Sequence, residues 1–474
     1  MSSLSAALNT AVIGLSTLQQ QVRLASGNVS NAQNPDYTRK VATLTTPVSD
    51  GLPAASLIAS ITRIAAPEIR QDFYASQAQY GELSVQLTYS KDLAEALDAT
   101  NTTGDQPTLT AMLTRFEDAW KQLEATPEDT DLRNQVVLRG QELATEIRRL
   151  NGMQSQLQTR AQQDVTTNID AINTAATEIA KLNAKIASQT ASGTPTGDLE
   201  DLRDAEVAKL ADKVGIRTIT NDRGELFVYT EGGVQLVGTV AQQFSYDTLT
   251  NTITTVGGTA SLNNGFLSGA VRASLDYLDT STTALNDSDP NVGMLQKFFN
   301  QLDSFAANLV SVVNAAYDDP ATAATEEFFD TAGLTAGQEA GTIFVDSAWT
   351  TTPSNLDATR AGAVQQALRN TVLTSAQVNP TTDPNGLAIG SVNIFGLVNG
   401  VLAYHARTAA TNDDNKATAE RMQDALDQKY RNLTGVNIDD ELAQLQILQN
   451  NYAALANVMN TVTQMFDQLV NIGR

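Results

Sequence analysis

No cysteine occurs among the 474 residues, which excludes disulfides, thiolate nucleophiles and thiolate-bound metals. A single histidine, His405, excludes His-rich metal sites and mechanisms that need two imidazoles. Basic residues are few: 30 Lys and Arg stand against 53 Asp and Glu, a formal net charge of -23. Nucleic acid demands a concentrated basic surface, and no cluster of Lys and Arg supplies one. The same argument weighs against an anionic membrane surface. No run of about 18 apolar residues could span a bilayer. The start, Met1-Ser2-Ser3-Leu4-Ser5-Ala6-Ala7-Leu8, has no basic region and no continuous apolar run, so it does not read as a cleaved secretory signal. Phosphate-loop, dinucleotide and Gly-x-Ser-x-Gly patterns are missing as well.

Aromatics are only 5%, whereas Ala, Thr, Asn and Gln are plentiful, a mixture suited to long helices packed through small side chains. Hydrophobic residues at 42% are enough for real cores, and the length predicts about two to four domains. An acidic surface keeps subunits soluble before assembly, although a merely soluble protein could carry the same charge. Asp287-Ser288-Asp289-Pro290-Asn291 begins like a calcium loop. It then places Val292 where glycine is needed and Phe298 where a bidentate Glu is needed, so it reads as a helix-entry turn. Asp318-Asp319 and Asp413-Asp414 are lone acidic pairs that read as solvated loop charge. His405, in Tyr404-His405-Ala406-Arg407, reads as a surface or packing residue of a helix. No catalytic residue, metal or cofactor is expected, and the chain does not read as an enzyme.

What is present is amphipathic periodicity at both ends. Leu4, Leu8, Val12, Leu15, Leu18, Val22, Ala25 and Val29 recur three or four apart and predict a helix over 4–29. It ends in a run of turn formers from Asn28 to Tyr37, and residues 38–65 read as extended. Helices are predicted over 68–100, 108–124, 129–188 (one long helix), 198–213, 269–280 and 292–316, with a loop at 101–107. Residues 190–197 form a linker, and alternation over 214–268 predicts a small β unit. Near the C-terminus Ile438, Leu442, Leu445, Leu448, Tyr452, Leu455, Met459, Val462, Phe466 and Leu469 form a narrow heptad-like seam for roughly eight turns. Two amphipathic ends each need a partner: each is the cheapest partner for the other, and the alternative is that each packs separately on a central core.

Residues 25–40, Ala-Ser-Gly-Asn-Val-Ser-Asn-Ala-Gln-Asn-Pro-Asp-Tyr-Thr-Arg-Lys, resemble the N-terminal signature of flagellar rod, hook and hook-associated axial proteins. Asn28, Asn31, Asn34, Pro35, Tyr37 and Arg39 carry the likeness. The Tyr37-Thr38-Arg39 ending looks like the hook-associated members, since rod and hook proteins usually have Phe-Lys there. Asp36 stands where the family normally has glycine, and Asp tolerates the same turn. Residues 434–442 and 448–454 are similar to the family's C-terminal signature, with Asn437 or Asp439 placed to cap the following helix. Looser similarity runs through Asp201-Leu202-Arg203-Asp204, 265–276 and Phe328-Phe329-Asp330.

The resemblance implies a mainly α fold with inserted β. Its terminal helices would pair as a coiled coil beside a long-helix bundle and small β-rich outer parts. It implies an inner unit from 1–65 with 434–474 and a bundle from 66–190, 269–317 and 401–433. A β-rich outer unit would take 191–268, and a mixed variable insertion 318–400. It also implies a structural subunit at the junction of hook and filament, outside the cell. The seam residues Leu4, Leu8, Val12, Leu15, Val22 and Ile438 to Leu469 would then pack subunits together. Implied partners are further copies of the chain, the hook protein, other hook-associated proteins, a cytosolic export chaperone on the C-terminal helix, and the flagellar type III export apparatus. Neither nucleic acid nor membrane is among them. A hook or rod subunit is the alternative within the family; a secreted hydrolase or adhesin with coiled-coil ends is the alternative outside it.

Overall fold

The structure, a computed structural model, describes residues 2–46, 48–49, 52–53, 56–97, 108–319, 326–381 and 384–472. The loop expected at 101–107 and the side chains of Leu4 and Leu469 lie outside the described residues.

Helix α1 (Ser2–Asn31) contains no proline and stops where Asn31 O accepts the amide of Asn34, one residue before Pro35. The chain then forms a twisted ribbon of β1 (Lys40–Thr45) and β4 (Leu57–Arg63), antiparallel, with Lys40 opposite Arg63 and a register slip at Thr43/Leu44. Two short strands, β2 (Val48–Ser49) and β3 (Leu52–Pro53), pair at its tip.

Helices α2 (Pro67–Leu97), α3 (Leu109–Ala125), α4 (Thr130–Gly152), α5 (Gln154–Ala191) and α6 (Gly197–Lys213) follow. The single helix predicted over 129–188 is two helices. They divide at Gly152–Met153, where Asn-Gly lowers helix propensity and the Met153 amide closes back on Leu150 O. Asp129 caps α4 by accepting from the amides of Asp131 and Leu132.

Strands β5 (Ile216–Thr220), β6 (Leu226–Thr230) and β7 (Gln235–Val237) make one antiparallel sheet, and β8 (Phe244–Asp247) with β9 (Thr252–Thr255) a hairpin. Their inner faces rest on α5. Asn183 exchanges hydrogen bonds with the backbone of Leu226, and Asn173 does the same with Phe244. Helices α7 (Ala270–Tyr277), α8 (Thr282–Leu285) and α9 (Met294–Tyr317) come next. Alpha9 is buried nearly all round, and Phe298, Leu302, Phe305, Leu309 and Val313 lie at the centre of the body. Each such side chain contributes roughly 1.5–3 kcal/mol.

The described residues of 326–393 form the short helices α10 (Glu339–Thr342), α11 (Ser347–Thr351), α12 (Ala361–Asn370) and α13 (Ser375–Val378), with two 3-10 turns at Pro353–Asn355 and Ala358–Arg360. They close over α3, α4 and α9. Phe116, Trp120, Tyr317, Phe328 and Phe329 form an aromatic knot there. Asn314 stitches the loop down by accepting from the amides of Phe328 (3.1 Å) and Phe329 (2.9 Å) and donating to Phe329 O (2.7 Å). Finally α14 (Ile394–Thr434) runs back along α2, and α15 (Ile438–Ile472) returns along α1. Asn437 caps α15 by accepting from the amide of Asp439 at 3.0 Å, with Asp439, Asp440 and Glu441 in the first turn. The fold is mainly helical with inserted antiparallel strands and paired terminal helices.

Candidate functional site

The terminal pair runs antiparallel: Gly14 faces Leu455, Gln19 Nε2 approaches Tyr452 OH at 3.5 Å, and Arg39 reaches Glu441. Close approach comes from small residues. A methyl group on Gly14 would lie 2.9 Å from Leu455 Cδ2, and Ala11 and Ala25 are buried nearby. The face that α1 turns to its partner is therefore its Ala/Gly/Thr stripe more than its leucine seam. Leu8, Leu15 and Val22 are half-buried and Val12 is 50% exposed. Along α15, Leu448 is buried, and Leu445, Leu455, Met459 and Val462 are half-buried. Ile438, Leu442, Tyr452 and Phe466 are exposed, and Ile447, Val458 and Met465 add exposed apolar area on flanking positions. An open groove of about 650 Å³ separates the helices, lined by Ala7, Gly14, Leu18, Ala454, Leu455 and Val458 among others. One partner helix does not cover this much apolar surface.

The signature turn forms a polar joint at the base of the pair. Asn28, 2% exposed, donates to Lys40 O (2.9 Å) and accepts from Lys40 N (3.0 Å) and Tyr37 OH (2.9 Å). It thereby fastens the end of α1 to the start of β1. Asn31 Nδ2 donates back to Gly27 O, and exposed Asn34 accepts from the amide of Asp36. Asp36 does not take the left-handed conformation, so the turn closes without glycine. Pro35 is exposed, ending α1 by its ring rather than by packing. Arg39 N donates to Thr434 O at 2.7 Å, and its Nε pairs with buried Glu441 at 2.6 Å, so the two family signatures meet. Burial, with the charges of Asp198, Asp201 and Glu441, pushes the Tyr37 phenol up to about 12. It stays neutral and can donate to Asn28.

Sequence reasoning singled out Asp201 and Asp204 only as part of a looser similarity and did not pair them with the basic residues below this turn. Lys40, Arg63 and Arg70 converge on Asp201 and Asp204 of α6, with Glu200 on Arg63 Nε at 2.6 Å. Burial alone would lower Arg63, but Asp204, Glu200 and Asp201 hold it above its ordinary value. A usable signal existed: Asp198, Asp201 and Asp204 stand three apart on one helical face, while Lys40 and Arg63 bracket the extended segment.

Two other features are structural. His405 is fully buried rather than on the surface, with Nε2 2.8 Å from Gln301 Oε1 and its ring edge-on to Phe298. The turn that starts like a calcium loop is served by an internal cation: buried Lys297 donates to the carbonyls of Asp287 (3.1 Å) and Asp289 (3.0 Å). Asp413 pairs with Lys91 in the open. Among the described residues no group of three His, Asp or Glu is placed to hold a metal, and no helix is long and apolar enough to cross a membrane.

A family model described as the flagellar hook-associated protein FlgK helical domain matches residues 94–326. Flagellar hook-associated protein 1 of Bacillus subtilis is 24% identical, the alignment covering 99% of each chain. The protein of the same name from Escherichia coli is 22% identical over 99% of this chain and 100% of its own. The flagellar hook junction protein FlgK from Burkholderia pseudomallei, a solved structure, is 23% identical with a TM-score of 0.42, over 52% of this chain and 43% of that one. With relatives aligned from end to end and the helical-domain model matched over residues 94–326, the chain is similar to flagellar hook-associated protein 1 along its whole length.

Proposed function

We propose that the chain is a structural subunit of the bacterial flagellum that joins hook to filament and self-assembles through its terminal helices. The observation that carries this reading is the apolar surface left open on the paired ends, from Val12 on α1 to Leu442, Tyr452, Val458 and Phe466 on α15. A contiguous exposed stripe of this length marks a surface that neighbours cover. In this reading 1–65 with 434–474 form the inner unit of a tube. Residues 66–190, 269–317 and 401–433 form the surrounding bundle, 191–268 the β-rich outer part, and 318–400 a variable addition.

The role is structural rather than catalytic. The same open seam suits an escort: a cytosolic chaperone holding the C-terminal helix would keep it from premature association before export through the flagellar type III apparatus. Hook protein and other hook-associated proteins are then the neighbours above and below. The test is electron microscopy of cells lacking the protein. Hooks without attached filaments are expected, and normal filaments on such cells would overturn the reading.

A further inference from the structure

The seam accounts for the helices but not for the buried charges at their base. No residue of α1 or α15 belongs to the contiguous apolar core of the body among the described residues. Apolar packing therefore does not fix how the terminal pair sits on that body. What crosses the boundary is polar. Asp201 accepts from Thr38 N (3.1 Å), Thr38 Oγ1 (2.6 Å), Lys40 Nζ and Arg63 Nη1 (3.0 Å). Asp204 accepts from Arg63 Nη1 (2.5 Å) and from Arg70. These donors come from the signature turn, from the first residue of β1, from the last of β4 and from the first turns of α2. Arg203 of the same helix, on its buried side, donates to Gly224 O at 2.6 Å in the β5–β6 turn. One helix thus grips the incoming strand, the outgoing strand, α2 and the β sheet.

Charges buried this far add little net stability, because desolvation offsets much of their attraction. They are directional, however: a carboxylate with four donors in place cannot keep them all if the ribbon rotates. High specificity of orientation at little gain in stability is the property of a joint.

We propose that Asp201 and Asp204 are positioning residues that lock the angle between the terminal helix pair and the helical body, so that each copy meets its neighbour with the seam already aimed. The use of that angle rests on the assembly reading above; the lock itself belongs to the free chain and is tested there.

Because the chain lacks cysteine, spin labels go only where they are placed. Exposed Ser26 of α1 and Lys181 of α5, both changed to Cys, report the angle; Glu128 and Lys181 report the body alone. In the otherwise native chain a single narrow Ser26–Lys181 distance distribution is expected from pulsed electron resonance. Asp201→Ala should broaden it markedly and speed exchange of the Thr38 amide about tenfold or more, leaving the Glu128–Lys181 distance and the melting of the body unchanged. Asp201→Asn, which keeps an acceptor for Thr38 but no charge, should fall between. Arg63→Ala should repeat the broadening by removing the donor shared between the two carboxylates. The proposal is overturned if the distribution is already broad in the native chain, or stays narrow in both alanine variants. It is equally overturned if the body distance and melting move along with it, since the residues would then serve folding in general. Failure of the native chain to polymerise would overturn the assembly reading while leaving these distances readable.

Discussion

Half-buried Glu82 and buried His405 are groups whose protonation has opposite effects on stability. Burial pushes the Glu82 carboxyl up to about 7, partly countered by the amide of Gly269, which donates to it at 3.2 Å. Burial pushes the His405 imidazole down to about 3. Folded Glu82 keeps its proton to about pH 7, whereas unfolded Glu loses it near 4.5. Its contribution is therefore complete below 4.5 and lost as pH rises through 7. Folded His405 stays neutral to about pH 3 while the unfolded imidazole takes a proton near 6.5, so that contribution is lost as pH falls from 6.5 toward 3. Between 4.5 and 6.5 the two slopes cancel, each about 1.4 kcal/mol per pH unit at most. Glu82→Gln should remove one of them. Urea denaturation is expected to show the variant gaining on the native protein steadily from pH 4.5 to 7; a difference independent of pH would refute the assignment.

At the scale of elements, close helix contact depends on a few glycines. A Cβ on Gly81 would lie 2.2 Å from the backbone carbonyl of Asp212, so α2 and α6 touch only because that residue has no side chain. Gly81→Ala should force the helices apart and destabilise the body by about 1–3 kcal/mol. Gly152, at the end of α4, has nothing within 4 Å of a Cβ. Gly152→Ala should instead stabilise by roughly 0.5–1 kcal/mol, since Ala loses less backbone freedom. Thermal unfolding of the two variants should shift in opposite directions. A shift of the same sign would mean that either the close contact at Gly81 or the open space at Gly152 is not as described.

At the scale of the molecule, the core and the termini are separate structures. The contiguous apolar core starts at Tyr74 and ends at Val401, leaving out both terminal helices. Removing residues 434–474 is therefore expected to leave a soluble body whose melting is close to that of the full chain, yet to abolish self-assembly. A truncated protein that still supported filament growth would sink the idea. Without neighbours, the distal parts of α1 and α15 have little to hold them. Ordering costs on the order of 1–2 kcal/mol per residue in backbone entropy, and an isolated helix pair is marginal in water. Hydrogen exchange on the free chain should thus be fast around Leu448–Val462 and slow along α9, with the former becoming protected only after assembly. Strong protection of Leu448–Val462 in the monomer would refute this.

The ends of this protein were legible in the sequence because their determinants are local. Three-and-four spacing marks α1 and α15, and the Asn-Pro run and Asn437 mark where one helix stops and the other begins. The absence of cysteine and basic clusters could likewise be read without a fold. Other features depend on residues distant in sequence. His405 owes its burial to Gln301 and Phe298, and Lys297 its place to two carbonyls of a turn that looked like a metal loop. The carboxylates of α6 gain their meaning only when Lys40, Arg63 and Arg70 are folded onto them from more than a hundred residues away. Periodicity along a chain reports which face of a helix is apolar. It does not report what that face meets, nor which buried charges find partners, because those are set by the summed geometry of elements that no local pattern encodes. The sequence by itself determined the paired ends and the likeness to flagellar axial proteins; the tertiary structure decided which apolar residues stay open and how the pair is joined to the body.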